Sequence, residues 1–194
     1  MELASLDINK VYTYADYLKW DFKERVELIK GRLFKMSPAP SSRHQQVSMR
    51  ISNAICNYLD GKPCEVYAAP FDVRLPRKSK DDRDIVTVVQ PDICVICDIS
   101  KIDSKGCLGA PDIVIEILSP GNSKTELNNK FEIYEEAGVK EYWIVFPHDN
   151  TFIVYTMTDG KYISSRPMTE GTIVTSSVLP GLIIDVAKLF SKIR

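Results

Sequence analysis

The apolar positions of this chain change their period several times, and each change marks an element. From Ser41 or Ser42 to Leu59 they recur at helical spacing, at Val47, Ile51, Ile55, Tyr58 and Leu59, until Gly61-Lys62-Pro63 ends the run. Thr13 is placed to cap a shorter helix reaching about Trp20, with Tyr14, Tyr17 and Leu18 on its apolar side. Val26–Ile29 and Leu33–Met36 flank Lys30-Gly31-Arg32 and predict a β-hairpin with glycine at its turn. Ser37-Pro38-Ala39-Pro40 then interrupts regular structure. Three strand-like stretches follow the long helix: Glu65–Leu75, Ile85–Cys97 with Pro91 interrupting it, and Ile113–Leu118. The last is almost unbroken aliphatic sequence, the pattern of a strand covered on both faces.

Ser119-Pro120-Gly121-Asn122 turns the chain, and Ser123 with Glu126 has the spacing of a capping box. The helix it opens should run to about Ala137 and stop at Gly138. Glu141–Phe146 predicts another buried strand, with shorter strands near Phe152–Met157 and Lys161–Arg166 and a terminal helix near Val186–Ile193. Strand, helix and strand in succession predict a right-handed βαβ crossover, while the early hairpin makes the sheet mixed rather than parallel. No repeat, low-complexity tract or linker divides the chain, so the expectation is one α/β domain over residues 1–194.

Composition narrows the partners. A hydrophobic share of 44% supports a sizeable core. No apolar run approaches the ~20 residues that span a bilayer, and the first residues lack a basic flank followed by an apolar segment, so a cytoplasmic location is expected. Of the five cysteines, Cys94 and Cys97 form a C-x-x-C inside an apolar strand, where period-2 geometry sends them to opposite faces. No second such pair completes a zinc site, and all five are expected to remain thiols. A net charge of −1 offers no bulk positive field to a nucleic acid. The one basic cluster, Arg74, Arg77, Lys78, Lys80 and Arg83, is interrupted by Asp81, Asp82 and Asp84 and reads most simply as a solvated loop.

A few residues resist a purely structural account. Glu116 shares a strand face with Val114 and Leu118, so its carboxylate must be salt-bridged, protonated or bound to a cation. Asp92 follows Pro91 at the start of a strand, a position that Pro-Asp takes for structural reasons alone. Asp112 follows Pro111 in the same way, but lies roughly 13 Å along the strand from Glu116, too far to share an ion. Asp92 and Glu116 on neighbouring strands would come within ~5 Å. Two carboxylates at that separation suit Mg²⁺, which takes one or two of them and keeps several waters. Lys130 sits at the edge of the helical face that carries Leu127, Tyr134 and Ala137; it either snorkels to solvent or, beside an ion, stabilises charge on a phosphate. Glu27 and His44 are weaker candidates, since a hairpin strand or a first helical turn can face either to water. Phosphate-binding glycine loops and the nucleophile-elbow motif are absent, and two histidines leave little room for a triad or a multi-histidine zinc site.

Gln90-Pro91-Asp92, the run from Pro111 to Pro120, Lys130, Tyr134 and Gly138–Val145 resemble the bacterial Uma-type family of putative restriction endonucleases, within the PD-(D/E)XK nuclease superfamily. The likeness extends upstream through Glu27–Gly31, Met36-Ser37-Pro38 and His44, and downstream to Leu179-Pro180-Gly181-Leu182. It implies a restriction-endonuclease-like mixed central β-sheet flanked by helices, with Asp92 and Glu116 as metal-binding carboxylates and Glu27 as an accessory acid. Leu118 stands where such sequences usually carry lysine, and Lys130 would replace it; Phe146 stands where aspartate is frequent. The function implied is a Mg²⁺- or Mn²⁺-dependent endonuclease hydrolysing DNA, for which a two-fold homodimer is the simplest way to cut both strands. The alternative is a catalytically inactive nuclease-fold module that binds nucleic acid or protein.

Overall fold

The computed structural model describes residues 6–7, 9–36, 40–120 and 124–193. The chain opens with α1 (Tyr14–Tyr17), β1 (Val26–Ile29), β2 (Arg32–Lys35) and the long α2 (Ser42–Leu59). Six strands follow: β3 (Glu65–Ala68), β4 (Val73–Arg74), β5 (Val88–Val89), β6 (Ile93–Ile96), β7 (Ile102–Asp103) and β8 (Gly106–Leu108). Next come β9 (Ile113–Ile117), α3 (Lys124–Ala137), β10 (Glu141–Phe146), β11 (Thr151–Thr158) and β12 (Lys161–Ser164). The last described elements are β13 (Ile173–Val174), β14 (Ile184–Asp185) and α4 (Val186–Phe190).

The expected hairpin forms, with Lys30 and Gly31 both at positive φ (51° and 77°) as a two-residue turn requires. Thr13 and Asp16 close a reciprocal capping box, but α1 ends at Tyr17 because Trp20 folds back onto Tyr12 and Tyr17 instead of extending the helix. The expected helix α2 forms, and Ser41 caps it by accepting from the His44 N–H. The capping box expected at α3 involves Ser123, outside the described residues. Gly138 terminates α3 at φ 78°.

The strands are mixed in direction, as the α/β reading requires, but among the described residues they form two six-stranded sheets and a small β13-β14 pair rather than one sheet. The first has the order β2-β1-β5-β4-β8-β7 and the second β12-β11-β10-β9-β6-β3. The prolines explain the division. Pro70 separates β3 from β4, and Pro91 separates β5 from β6, so each strand-like stretch is cut in two and its halves enter different sheets. β9 and β10 pair in parallel across α3, the expected crossover.

Alternation along the second sheet sorts its side chains into two cores. Ile93, Val95, Ile113, Ile115, Trp143 and Val145 pack with the buried stripe of α2 and with α4. Cys94, Ile96, Val114, Tyr142 and Ile144 face the opposite way, against α3 and the first sheet. Cys94 and Cys97 thus do point to opposite sides of the sheet. Cys97, however, forms a disulfide with Cys64, correcting the expectation that all five cysteines remain thiols. The reason is register: Glu65 pairs with Ile96, so Cys64 and Cys97 oppose each other one step outward. Their separation of 33 residues hides that proximity in the sequence.

Candidate functional site

Parity along two strands brings the acidic side chains together. On β1, Glu27 lies on the face of Ile29, which points into the core layer between the sheets. On β9, Glu116 lies on the face of Val114, which points into the same layer from the other side. α3 fills this layer and carries Lys130 one turn before Tyr134. Asp92 belongs to the short link between β5 and β6, where the chain passes from one sheet to the other. The antiparallel register Ile93↔Ile115, extended one residue, sets it opposite Glu116.

The hydrogen bonds make the cluster specific. Lys130 Nζ lies 3.0 Å from Glu116 Oε1 and 3.2 Å from Glu27 Oε1, with all three residues buried. The Tyr134 hydroxyl donates to the same Glu116 oxygen at 2.8 Å. Glu27 Oε1 also accepts from the Gln90 N–H at 2.8 Å. Asp92 Oδ2 accepts from the Ile117 N–H at 2.7 Å and meets His44 Nε2 at 3.2 Å. Among the described residues, Glu116 Oε2 and Asp92 Oδ1 have no hydrogen-bond partner. Each carboxylate therefore has one engaged oxygen and one open oxygen. Asp92 is the more exposed of the two, its side chain 24% accessible against 8% for Glu116, so the cluster meets solvent on the Asp92 side.

Residues 14–187 match the Uma2 family, described as "Putative restriction endonuclease". The chain belongs to this family. A solved structure from Anabaena variabilis, described as a putative nuclease belonging to DUF820, aligns with a TM-score of 0.71 over 93% of this chain and 98% of that one. At 21% identity the likeness shows a shared fold. An uncharacterized protein of Synechocystis sp. is 28% identical over 121 residues, covering 61% of this chain and 60% of that protein.

In this Uma2-family chain the charges of the cluster are unequal. Glu27 and Glu116 flank the Lys130 ammonium, and Asp92 meets His44. Burial opposes the charge on Lys130, but Glu116 and Glu27 outweigh it and hold the lysine well above its ordinary value. Burial pushes Glu116 up to about 7; Lys130 pulls it down, while Asp92 and Glu27 add to the rise. Burial lowers His44, yet its contact with Asp92 raises it on balance. Burial thus favours the neutral form of Glu116, while Asp92 favours the charged form of His44.

Several sequence expectations change at this point. Lys130 does not snorkel but is buried between two carboxylates. Glu27 does not face water, and His44 is buried against Asp92. Asp112 lies at the other end of β9, where its carboxylate accepts from the Cys97 N–H and pairs with Lys140, each at 2.7 Å. Tyr134 was legible as part of an apolar helical face and of the family resemblance, but not as a partner of Glu116; its place one turn after Lys130 was the available signal. Gln90 was missed as an organiser. Besides holding Glu27, it accepts from Arg25 and donates to Tyr17 and Asp72. The basic cluster is largely neutralised: Arg74 pairs with Asp103, Arg77 with Glu136 and Arg83 with Asp81. No helix among the described residues is long and apolar enough to cross a membrane.

Proposed function

We propose that this chain is a divalent-metal-dependent endonuclease that hydrolyses DNA phosphodiester bonds at the cluster of Asp92, Glu116, Lys130 and Glu27. One observation carries the reading: two neighbouring carboxylates each keep an open oxygen among the described residues, beside a buried ammonium. Among the described residues no third acidic, histidine or cysteine side chain joins them in a metal-binding group. A two-carboxylate donor set of hard oxygens nonetheless fits Mg²⁺ or Mn²⁺, with water filling the other positions. Asp92 and Glu116 would hold the ion, which when bound makes water a stronger nucleophile and offsets charge on the phosphate.

Hydrolysis adds water across a P–O bond: the water oxygen joins phosphorus, and the departing oxygen takes a proton. Lys130 has three N–H donors, two of which meet Glu27 and Glu116. Its third donor would serve a phosphate oxygen brought to the site, where a fixed cation in a dry site lowers the barrier. Glu27 holds that ammonium in place through its own bond to the Gln90 backbone. Lys130 thereby takes up the position left open by Leu118. For duplex DNA, a two-fold dimer would bring one such site to each strand.

The test is cleavage of supercoiled plasmid and single-stranded DNA by purified protein with Mg²⁺, Mn²⁺ or EDTA. Glu116→Ala and Lys130→Ala should each lower the metal-dependent rate by at least about 10²-fold. Cleavage that persists unchanged in Glu116→Ala rules this site out. DNA binding without cleavage in any metal supports the second reading, an inactive nuclease-fold module. That reading is favoured by the near-neutral net charge and by the paired cations of the 74–83 loop.

A further inference from the structure

We propose that Tyr134 is a positioning residue that decides which oxygen of Glu116 meets the metal, a role that rests on the metal reading above. The argument begins with acceptor capacity. A carboxylate oxygen accepts about two hydrogen bonds in its own plane. Glu116 Oε1 receives two, from Lys130 Nζ at 3.0 Å and from the Tyr134 hydroxyl at 2.8 Å, whereas Oε2 receives none among the described residues. Asp92 Oδ2 is filled in the same manner by the Ile117 N–H and by His44. One oxygen of each carboxylate remains, an arrangement that favours single-oxygen ligation by both. It suits a small octahedral ion better than Ca²⁺, which takes six to eight oxygens and tolerates two from one carboxylate.

Lys130 alone cannot enforce this. Its ammonium is anchored between Glu116 and Glu27, but its three N–H donors rotate and can bond either oxygen of a turning carboxylate. Tyr134 has one donor in one direction. Its ring is wholly buried, and it packs on Tyr142 with centroids 5.1 Å apart, so its hydroxyl points from a fixed place. Lys130 and Tyr134 are one helical turn apart on α3, and the helix delivers both donors to one oxygen. Loss of such an orienting partner typically weakens metal binding by about 10- to 100-fold.

The neighbouring Tyr142 supplies the control. It stands in the same aromatic cluster and is equally buried, but its hydroxyl has no hydrogen-bond partner among the described residues. Titration calorimetry with Mn²⁺ and with Ca²⁺ on Tyr134→Phe and Tyr142→Phe separates the two. Tyr134→Phe should raise the Mn²⁺ Kd about tenfold or more, leave the Ca²⁺ Kd within about twofold, and keep the circular-dichroism spectrum. Tyr142→Phe should leave both constants unchanged. In the wild-type protein, the exchange-protected Tyr134 hydroxyl proton should shift in the NMR spectrum when diamagnetic Mg²⁺ is added, a measurement that needs no variant. Equal Mn²⁺ affinity in wild type and Tyr134→Phe overturns this role alone, as does an equal loss in both variants or an unmoved hydroxyl resonance in the Mg²⁺-loaded protein. A wild-type protein that binds no Mn²⁺ overturns the metal reading itself, and this role with it.

Discussion

Asp92 and Asp112 show how little a residue's immediate neighbours determine. Each follows a proline, and each accepts a strand-end N–H at 2.7 Å, Asp92 from Ile117 and Asp112 from Cys97. They close opposite ends of one antiparallel ladder, which is the ordinary structural use of Pro-Asp. Their remaining oxygens differ: Asp112 is paired with Lys140, whereas Asp92 keeps an oxygen open beside Glu116. Glu141 is another buried carboxylate, and it shows what a purely structural acid looks like here. It accepts from Trp143 Nε1, the Ser176 and Ser177 hydroxyls and the Ser177 and Val178 N–H groups, tying the 176–178 segment to β10. Arg74 and Asp103 give a pH-dependent prediction. The hydrogen bond from buried Arg74 holds the Asp103 carboxyl below its ordinary value, with burial opposing and the Lys105 N–H helping. The folded state favours the charged form, so the stabilisation is complete above the unfolded value and fades as pH falls through the folded one. Asp103 is 44% exposed, which limits the effect. Asp103→Asn should cost roughly 0.5–1 kcal/mol at neutral pH. In urea titrations that gap should close as the pH falls below the ordinary aspartate range; a gap independent of pH would show that charge is not its source.

At the scale of elements, the edge strand β3 depends on its neighbour β6 and on the disulfide just beyond their ladder. Cross-linking residues 33 apart removes chain entropy from the unfolded state, worth at most about 3–4 kcal/mol. Reduction, or Cys64→Ser, should therefore lower the denaturant midpoint noticeably while leaving the far-ultraviolet circular dichroism in place. Identical midpoints with and without reductant would mean that the bridge contributes nothing. The helices divide their work differently. The stripe Val47, Ile51, Ile55 and Leu59 on α2 is core, and its sequence period said so. α3 buries Ile133, Tyr134 and Lys130 together, so its inner face is part apolar and part polar. A hydrophobic period alone represents such a face poorly.

For the whole molecule, the cluster is a junction. Glu27 comes from the first sheet and Glu116 from the second; Asp92 comes from the link between them, and Lys130 and His44 from the two long helices. An ion bound there would hold all of these elements together and should stabilise the fold by mass action. At a hundredfold excess over its Kd the gain is about 2.7 kcal/mol, or roughly 5–11 °C in Tm for a chain of this size. Thermal melts with and without Mn²⁺ should show that rise in the wild type and lose it in Glu116→Ala. An equal rise in both would place the ion elsewhere.

The sequence by itself determined the α/β class, the hairpin, the long capped helix and the β9–α3–β10 crossover. These follow from local periodicity and turn chemistry, which neighbouring residues carry. It also marked Glu116, because a carboxylate in an aliphatic strand is costly wherever that strand ends up. Tertiary structure alone decided the division into two sheets, the Cys64–Cys97 pairing and the convergence on Glu116 of Lys130, Tyr134, Asp92 and Glu27. Each of these depends on which distant strand becomes a neighbour and in what register; a shift of one residue on β1 or β9 would turn Glu27 or Glu116 to the other face.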